Sequence, residues 1–129
     1  MPIVKQLVVT LDNNSGALAT LCSELAKAAV NIEAVQAVET GPISPIRLIV
    51  NPMEAAQKVC ARLGLKSAVE PVLAVGVGYR PGSLGRVMRK MAAKGVNVEY
   101  VYGTIEKGTK RALVIMGVSD LAAASKVAH

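Results

Sequence analysis

The chain has 129 residues, a length that suits one ordinary domain or two very small ones. Apolar residues make up 52% of it and charged residues 19%, which is ample material for a buried core and excludes extended disorder. A net charge of +6 suggests a polyanionic partner, but the basic residues are spread over several segments rather than forming one tract.

The first half of the chain predicts the order strand, helix, strand, strand, helix. The segment 3–11 is β-branched and partly alternating, as in a strand with covered faces. Apolar residues at helical spacing follow over 16–30, and further strands are predicted at 31–40 and 46–50 with a proline-containing turn between them. A second amphipathic helix is predicted at 53–64.

Polar and small residues indicate where these helices begin and end. Asn31 is expected to close the first helix, and Asn51 to cap the second, with Pro52 at its first position. Gly64 suits the left-handed position that follows a helix.

After an extended segment at 67–77, the same pattern occurs a second time. Corresponding residues in the first part of each copy lie 66 positions apart, as in the pairs Gly16 and Gly82, Leu18 and Leu84, Val30 and Val96, Asn31 and Asn97, and Glu33 and Glu99. Val59 and Val127 match only after a two-residue insertion, which we place in the hairpin at 106–111.

The repeat predicts an α+β fold of two tandem βαββαβ units, residues 1–70 and 71–129. Each unit has a four-stranded antiparallel sheet with two helices on one face. The second copy has no residues of its own for a fourth strand, because the sequence given ends at His129. Pairing with another chain, sharing of the long 67–78 segment, or truncation would each account for this. We favour a homodimer, since an unpaired apolar edge invites aggregation.

A short motif stands between the first strand and first helix of each copy. It reads NNSGAL at 13–18 and YRPGSL at 79–84. Gly in such a loop permits a positive φ and a close approach to the backbone, and the following residues present the unpaired N–H groups of a helix start. These groups and the helix dipole favour a carboxylate or phosphate. The amides of Asn13 and Asn31 offer both donor and acceptor to a free amino acid.

These residues resemble the ACT domain family, through LDNNSGALATLCSELAKAAVNIEAV and again through VGYRPGSLGRVMRKMAAKGVNVEYV. The resemblance covers nearly the whole chain and implies ferredoxin-like units that bind a free amino acid between the first loop of one unit and the second-strand start of its partner. The implied ligand-binding residues are Asp12, Asn13, Asn14, Ser15, Gly16, Ala17, Leu18, Asn31 and Ile32, and Tyr79, Arg80, Pro81, Gly82, Ser83, Leu84, Asn97 and Val98.

The first copy fits the amino-acid-binding form better than the second, because Tyr79 stands where the first copy has Asn13. The resemblance implies a sensor that regulates amino-acid metabolism. The first unit is also similar to the regulatory subunit of acetolactate synthase, which would imply a catalytic partner and a branched-chain amino acid, valine first among them.

Plainer readings stand beside these. Gly16 and Gly82 can be turn residues only, and Asn31 and Asn97 helix caps only. Tyr100 and Tyr102 share one strand face, where sheet packing is the simpler role. The basic residues Arg80, Arg86, Arg89, Lys90 and Lys94 are read as a solvated helix face.

Two rival functions remain. A basic RRM-like RNA-binding module has the same element order, but the strands IRLIV and RALVIM carry no aromatic residues for stacking bases. A purely structural dimerisation module would show no response to amino acids.

Catalysis finds little support. The single histidine is His129, and the sequence holds no HExxH, GxSxG or Walker lysine motif. Cys22 and Cys60 are far apart and read as small core residues, so we expect neither a metal site nor a cofactor. No apolar run is long enough to cross a bilayer or act as a signal, and we therefore expect a cytoplasmic protein.

Overall fold

The structure is a computed structural model that describes residues 1–106 and 111–127. Its ten elements alternate as two copies of one pattern. They are β1 (Ile3–Asp12), α1 (Ala17–Lys27), β2 (Asn31–Ala37), β3 (Ile43–Asn51), α2 (Met53–Arg62), β4 (Ser67–Gly78), α3 (Ser83–Ala93), β5 (Val98–Glu106), β6 (Arg111–Val118) and α4 (Leu121–Ser125). The strands are hydrogen-bonded in the order β2-β3-β1-β4-β6-β5. The predicted hairpin insertion lies largely outside the described residues, and so does His129.

The first compact unit comprises Lys5–Glu70. In its sheet, β3 is antiparallel to both β1 and β2, with Leu48 opposite Leu7 on one side and Val35 on the other. The beginning of β4 is the fourth strand, and the N–H of Thr10 donates to the carbonyl of Lys66 at 2.9 Å.

The second compact unit comprises Pro71–His129 together with Met1–Val4. Its strands β4, β6 and β5 are antiparallel, and the start of β1 takes the place of the fourth strand. The N–H of Ala74 donates to the carbonyl of Pro2 at 3.0 Å, and the Met1 nitrogen donates to the carbonyl of Ser125 at 2.6 Å. The missing fourth strand therefore has a replacement within the chain, and it no longer argues for a dimer.

Each unit has its own apolar core between its sheet and its helices. Corresponding positions are buried in both: Leu7 with Leu73, Val9 with Val75, Leu11 with Val77, Leu21 with Val87, Leu25 with Met91, Val59 with Val127, and Ala56 with Ala124. Burying one such leucine contributes about 1.5–3 kcal/mol. The predicted fold class, two tandem ferredoxin-like units with helices on one face of antiparallel strands, is confirmed.

The helix ends differ from the prediction. The positive φ after α1 belongs to Ala29 (58°), and the one after α3 to Gly95 (70°). Asn31 is instead the first residue of β2, and Asn51 is the last residue of β3, so neither caps a helix. Pro52 is extended and stands just before α2, not inside it. Gly64 does adopt the expected left-handed conformation after α2.

Tyr100 packs within the sheet of the second unit. It lies opposite Gly117 on β6, and its ring occupies the space that a side chain at Gly117 would need. The sheet-packing role predicted for this tyrosine is therefore correct.

Side-chain contacts also fix the first unit's helices to each other. Glu24 on α1 pairs with Arg62 on α2 at 3.2 Å and with Lys27 at 3.3 Å, and these cations lower the pKa of the Glu24 carboxyl. Cys60 is fully buried, and burial raises the pKa of its thiol, which makes it a core residue rather than a reactive one. No helix among the described residues has the length and apolarity needed to cross a membrane.

Candidate ligand sites at the starts of helices α1 and α3

The loop between β1 and α1 leaves backbone donors open at the helix start. Gly16, with φ of 96°, turns the chain into α1, and the N–H of Thr20 donates back to its carbonyl at 2.9 Å. The N–H of Ala17 reaches Asn14 at 3.4 Å. Within residues 1–106 and 111–127, the N–H groups of Leu18 and Ala19 have no hydrogen-bond acceptor, and no side chain caps them. A bound anion would satisfy these donors.

Asn13 has a structural role in this loop. Its side-chain amide donates to the carbonyl of Gly41 at 3.0 Å, and its backbone N–H donates to the carbonyl of Pro42 at 2.8 Å. These bonds fasten the loop to the turn between β2 and β3. Asn14 makes no such side-chain contact among the described residues, so its amide is the one open to a ligand.

A cavity of about 400 Å³ lies beside the start of α1, on the side of α2. Its polar lining comes from Asp12 at the end of β1, from the β1–α1 loop and from Thr20 on α1, and four leucines form most of its apolar lining. The lining residues are Leu11, Asp12, Asn14, Ser15, Gly16, Ala17, Thr20, Leu21, Leu63 and Leu65. The volume falls within the range of roughly 300–1,000 Å³ typical of small-molecule sites.

A smaller cavity of about 130 Å³ lies on the other side of the same loop. It shares Leu11, Asp12, Asn14 and Ala17 with the larger cavity. Its remaining walls come from the loop, the start of α1 and the β2–β3 hairpin, namely Asn13, Leu18, Val38, Glu39, Ser44 and Ile46. Residues Asp12 to Leu18 thus all line one or both cavities.

The second unit repeats this arrangement with different chemistry. Gly82, with φ of 88°, turns the chain into α3, and two cavities flank the helix start. The cavity of about 360 Å³ is largely apolar, with Tyr79, Leu84 and Val101 in its lining. The cavity of about 200 Å³ is basic, and its lining is Gly76, Val77, Gly78, Arg80, Ser83, Arg86, Val87 and Lys90.

The predicted second-strand residues do not join the loop of their own unit. Asn31 pairs with Asn51 at one end of the first sheet, whereas Asp12 pairs with Ile43 at the other end. In the second unit, the backbone of Asn97 is bonded to Ser119, with Val98 opposite Val118, while Gly78 lies opposite Arg111. Pro81 and Gly82 form the turn before α3. A site built from both a first loop and a second-strand start therefore needs the strand start of another unit.

Sequence reasoning missed part of the first cavity. Thr20 lies one helical turn after Gly16, and this spacing was a usable signal. Leu63 and Leu65 come from the end of α2, more than forty residues away in the chain, and only the packing of α2 beside α1 brings them to the loop. Across the described residues, no cluster of three or more histidine, cysteine or acidic residues could hold a metal ion.

Two ferredoxin-like units, each with cavities at its first helix start, make this chain a tandem α+β module. The chain belongs to the ACT domain family: the family described as "ACT domain pair" matches residues 2–126. ACT domains are regulatory modules typical of amino-acid sensing. The family predicted from the sequence is therefore confirmed.

Solved structures agree on the fold. Protein BT0572 from Bacteroides thetaiotaomicron is 27% identical, with a TM-score of 0.90 over 96% of this chain and 85% of that one. The regulatory subunit of aspartate kinase from Thermus thermophilus is 19% identical, with a TM-score of 0.63 over 90% of this chain and 87% of that one. The corresponding subunit from Thermus flavus is 14% identical, with a TM-score of 0.59 over 90% and 86%. No curated protein sequence matches the chain.

Proposed function

We propose that this protein is a non-catalytic sensor that binds a free amino acid at the start of α1 and regulates an enzyme of amino-acid metabolism. One observation carries the proposal. The 400 Å³ cavity is lined by the acidic residue Asp12 and has an apolar floor, and it lies beside a helix start with open N–H groups. A zwitterion with an apolar side chain needs these three features.

Each end of an amino acid has a partner of suitable charge in this cavity or at the helix start beside it. The α-carboxylate accepts from the N–H groups of Leu18 and Ala19, where the helix dipole also favours negative charge. The α-ammonium donates to the carboxylate of Asp12 and to the side-chain oxygen of Asn14. In the second unit, Gly78 takes the place of Asp12, so an ammonium has no equivalent partner there.

The cavity floor selects the class of side chain. Leu11, Leu21, Leu63 and Leu65 offer apolar surface, and the lining carries no cation to meet an acidic side chain. Burial of each methylene against such a surface contributes about 0.8 kcal/mol. A branched apolar amino acid such as valine, leucine or isoleucine is therefore the preferred ligand.

A regulatory effect requires that the ligand bind two states of the protein unequally. We propose that a homodimer provides them, with Asn31 and Ile32 from another unit completing the site, as the family resemblance implies. Ile32 and Val35 are apolar and exposed on β2, where a partner would cover them. The proposed target is an acetolactate-synthase-like enzyme or another amino-acid biosynthetic enzyme. Sedimentation as a monomer both with and without the amino acid would contradict the dimer.

A thermal-shift screen against the twenty amino acids at millimolar concentration tests the function. Stabilisation follows RT ln(1 + [L]/Kd), so a ligand at one hundred times its Kd adds about 2.7 kcal/mol and raises Tm by several degrees. We expect this rise for one or more of the branched apolar amino acids and none for glutamate or lysine.

The matching D-amino acids serve as a control, because they place the ammonium or the side chain wrongly when the carboxylate is bound. Equal stabilisation by both enantiomers would indicate a nonspecific effect. No rise in Tm with any of the twenty L-amino acids would overturn the proposal and favour the purely structural module.

A further inference from the structure

The basic helix face of the second unit is not a consequence of the fold. Five cations occupy positions before, on and just after α3, namely Arg80, Arg86, Arg89, Lys90 and Lys94. The residues at the equivalent positions of the first unit are Asn14, Thr20, Ser23, Glu24 and Ala28, none of which is a cation. Because the two units share one architecture, the fold itself does not require these cations. We therefore relate the charge difference to a function of the second unit.

Three of these cations line one cavity. Arg80, Arg86 and Lys90 surround the 200 Å³ space at the start of α3, and its lining contains no carboxylate. Among the described residues, none of the three forms an ion pair. Arg80 and Arg86 are exposed and free to reach an anion in the cavity, where the charges of all three cations would act on it together.

Ser83 provides an independent sign of a ligand. It is only 8% exposed, it lines the same cavity, and its hydroxyl has no hydrogen-bond partner within the described parts of the chain. The hydroxyl oxygen lies 3.7 Å from where a side chain on Gly78, another lining residue, would begin. The hydroxyl is therefore open to an acceptor that enters the cavity.

Backbone donors face the same helix start. The N–H of Ser83 is bonded to Arg80 at 3.1 Å, whereas those of Leu84 and Gly85 have no acceptor among residues 1–106 and 111–127. The cavity therefore gathers three cationic residues and one hydroxyl donor, and it lies beside the open end of an 11-residue helix.

We propose that this cavity binds a phosphate group, either free phosphate or the phosphate of a small phosphomonoester. Arg80 and Arg86 donate to its oxygens, Lys90 balances its second charge, and the Ser83 hydroxyl donates to an oxygen at the base of the cavity. A volume of about 200 Å³ accommodates the phosphate itself and leaves any organic part outside. The proposal is independent of the amino-acid site, which uses other residues in the other unit.

The charge pattern favours this small dianion over the alternatives. An amino acid would bring an ammonium, for which Gly78 offers no carboxylate where the first unit has Asp12. A nucleic-acid strand would use all five cations alike, yet Arg89 and Lys94 do not line the cavity, and the guanidinium of Arg89 lies back over Gly85.

Isothermal titration of the full chain with inorganic phosphate and with ribose 5-phosphate, at constant ionic strength, tests the proposal. We expect saturable binding of at least one of them, weakened about tenfold in Arg86→Gln, since the substitution removes a charge-assisted hydrogen bond. Ser83→Ala is expected to weaken binding severalfold. It should not disturb the fold, because the first unit has Ala17 at the equivalent position.

Arg89→Gln is the matched control, with the same loss of charge on the same helix but outside the cavity. It should retain wild-type affinity within about twofold, because exposed charges act weakly at a distance in salt. Equal weakening in Arg86→Gln and Arg89→Gln, or no saturable phosphate binding, would overturn the site. So would tight binding of a single-stranded oligonucleotide that all five cations support equally.

Discussion

Replacement of Leu73 by alanine is expected to lower the free energy of unfolding by about 2–5 kcal/mol. Leu73 is fully buried in the core of the second unit, where Met1 packs against the same cluster. The loss combines the transfer free energy of the side chain with the cavity that it leaves. Denaturant unfolding measures the loss of unfolding free energy, and hydrogen exchange identifies the residues that are destabilised. Residues 1–4 should lose protection together with residues 71–127, because they form one unit.

Leu7→Ala is the matched control, since Leu7 is the equivalent buried position of the first unit. This substitution should lower the free energy of unfolding by a similar amount. In this variant the amides of Lys5–Glu70 should be the first to lose protection from hydrogen exchange. If Leu73→Ala left the amides of residues 1–4 as protected as before while those of 71–127 opened, the assignment of the first strand's start to the second unit would be wrong.

Replacement of Asp12 by asparagine is expected to weaken amino-acid binding about tenfold or more. The side chain keeps its size but loses the charge that pairs with the α-ammonium, and a hydrogen bond to a charged group contributes about 1.5–3 kcal/mol, less where solvent screens it. Isothermal titration with the amino acid that gives the largest thermal shift measures the change.

Glu54→Gln makes the same chemical change at an exposed residue in the first turn of α2, away from the cavity, and should bind as the wild type does. An Asp12→Asn variant with unchanged affinity would show that the ammonium is bound elsewhere. The phosphate site should be unaffected by both substitutions, because its lining contains neither residue.

The repeated fold was predictable because its signals are local. Gly16 and Gly82 precede helices with apolar residues at helical spacing, and each copy carries the same order of elements. The replacement for the missing strand was not predictable. Ile3 and Val4 belong to the same apolar run as Leu7 and Val9, and nothing in that run shows that its start serves another unit. Strand pairing depends on partners distant in sequence, which a single sequence does not mark.

Helix ends show the limits of residue preference. Asparagine tolerates a left-handed backbone, but the left-handed residue after α1 is Ala29, and Asn31 begins β2. The N–H of Val30 donates to the carbonyl of Leu25 at 3.0 Å, and buried Val30 belongs to the first core. Packing of this valine determines where the helix closes, against the local preference of alanine.

The candidate site was predictable only in its loop. Turn chemistry marks residues 12–16 and the family motif extends the set to 18, and these residues line the cavities, whereas Leu63 and Leu65 reach the cavity through tertiary packing. From the sequence alone, the basic residues around α3 are expected to form a solvated helix face. The sequence shows how many charges it carries, but the convergence of Arg80, Arg86 and Lys90 on one cavity with Ser83 requires the structure.

The most direct test of the amino-acid site is a backbone NMR titration of the full chain with L-valine, L-leucine and L-isoleucine. The proposed site predicts that the largest amide shift changes are at Leu18 and Ala19, whose N–H groups receive the carboxylate, with smaller changes at Leu63 and Leu65. Shift changes concentrated outside residues 11–21 and 63–65, or no change with any of the three amino acids, would contradict it.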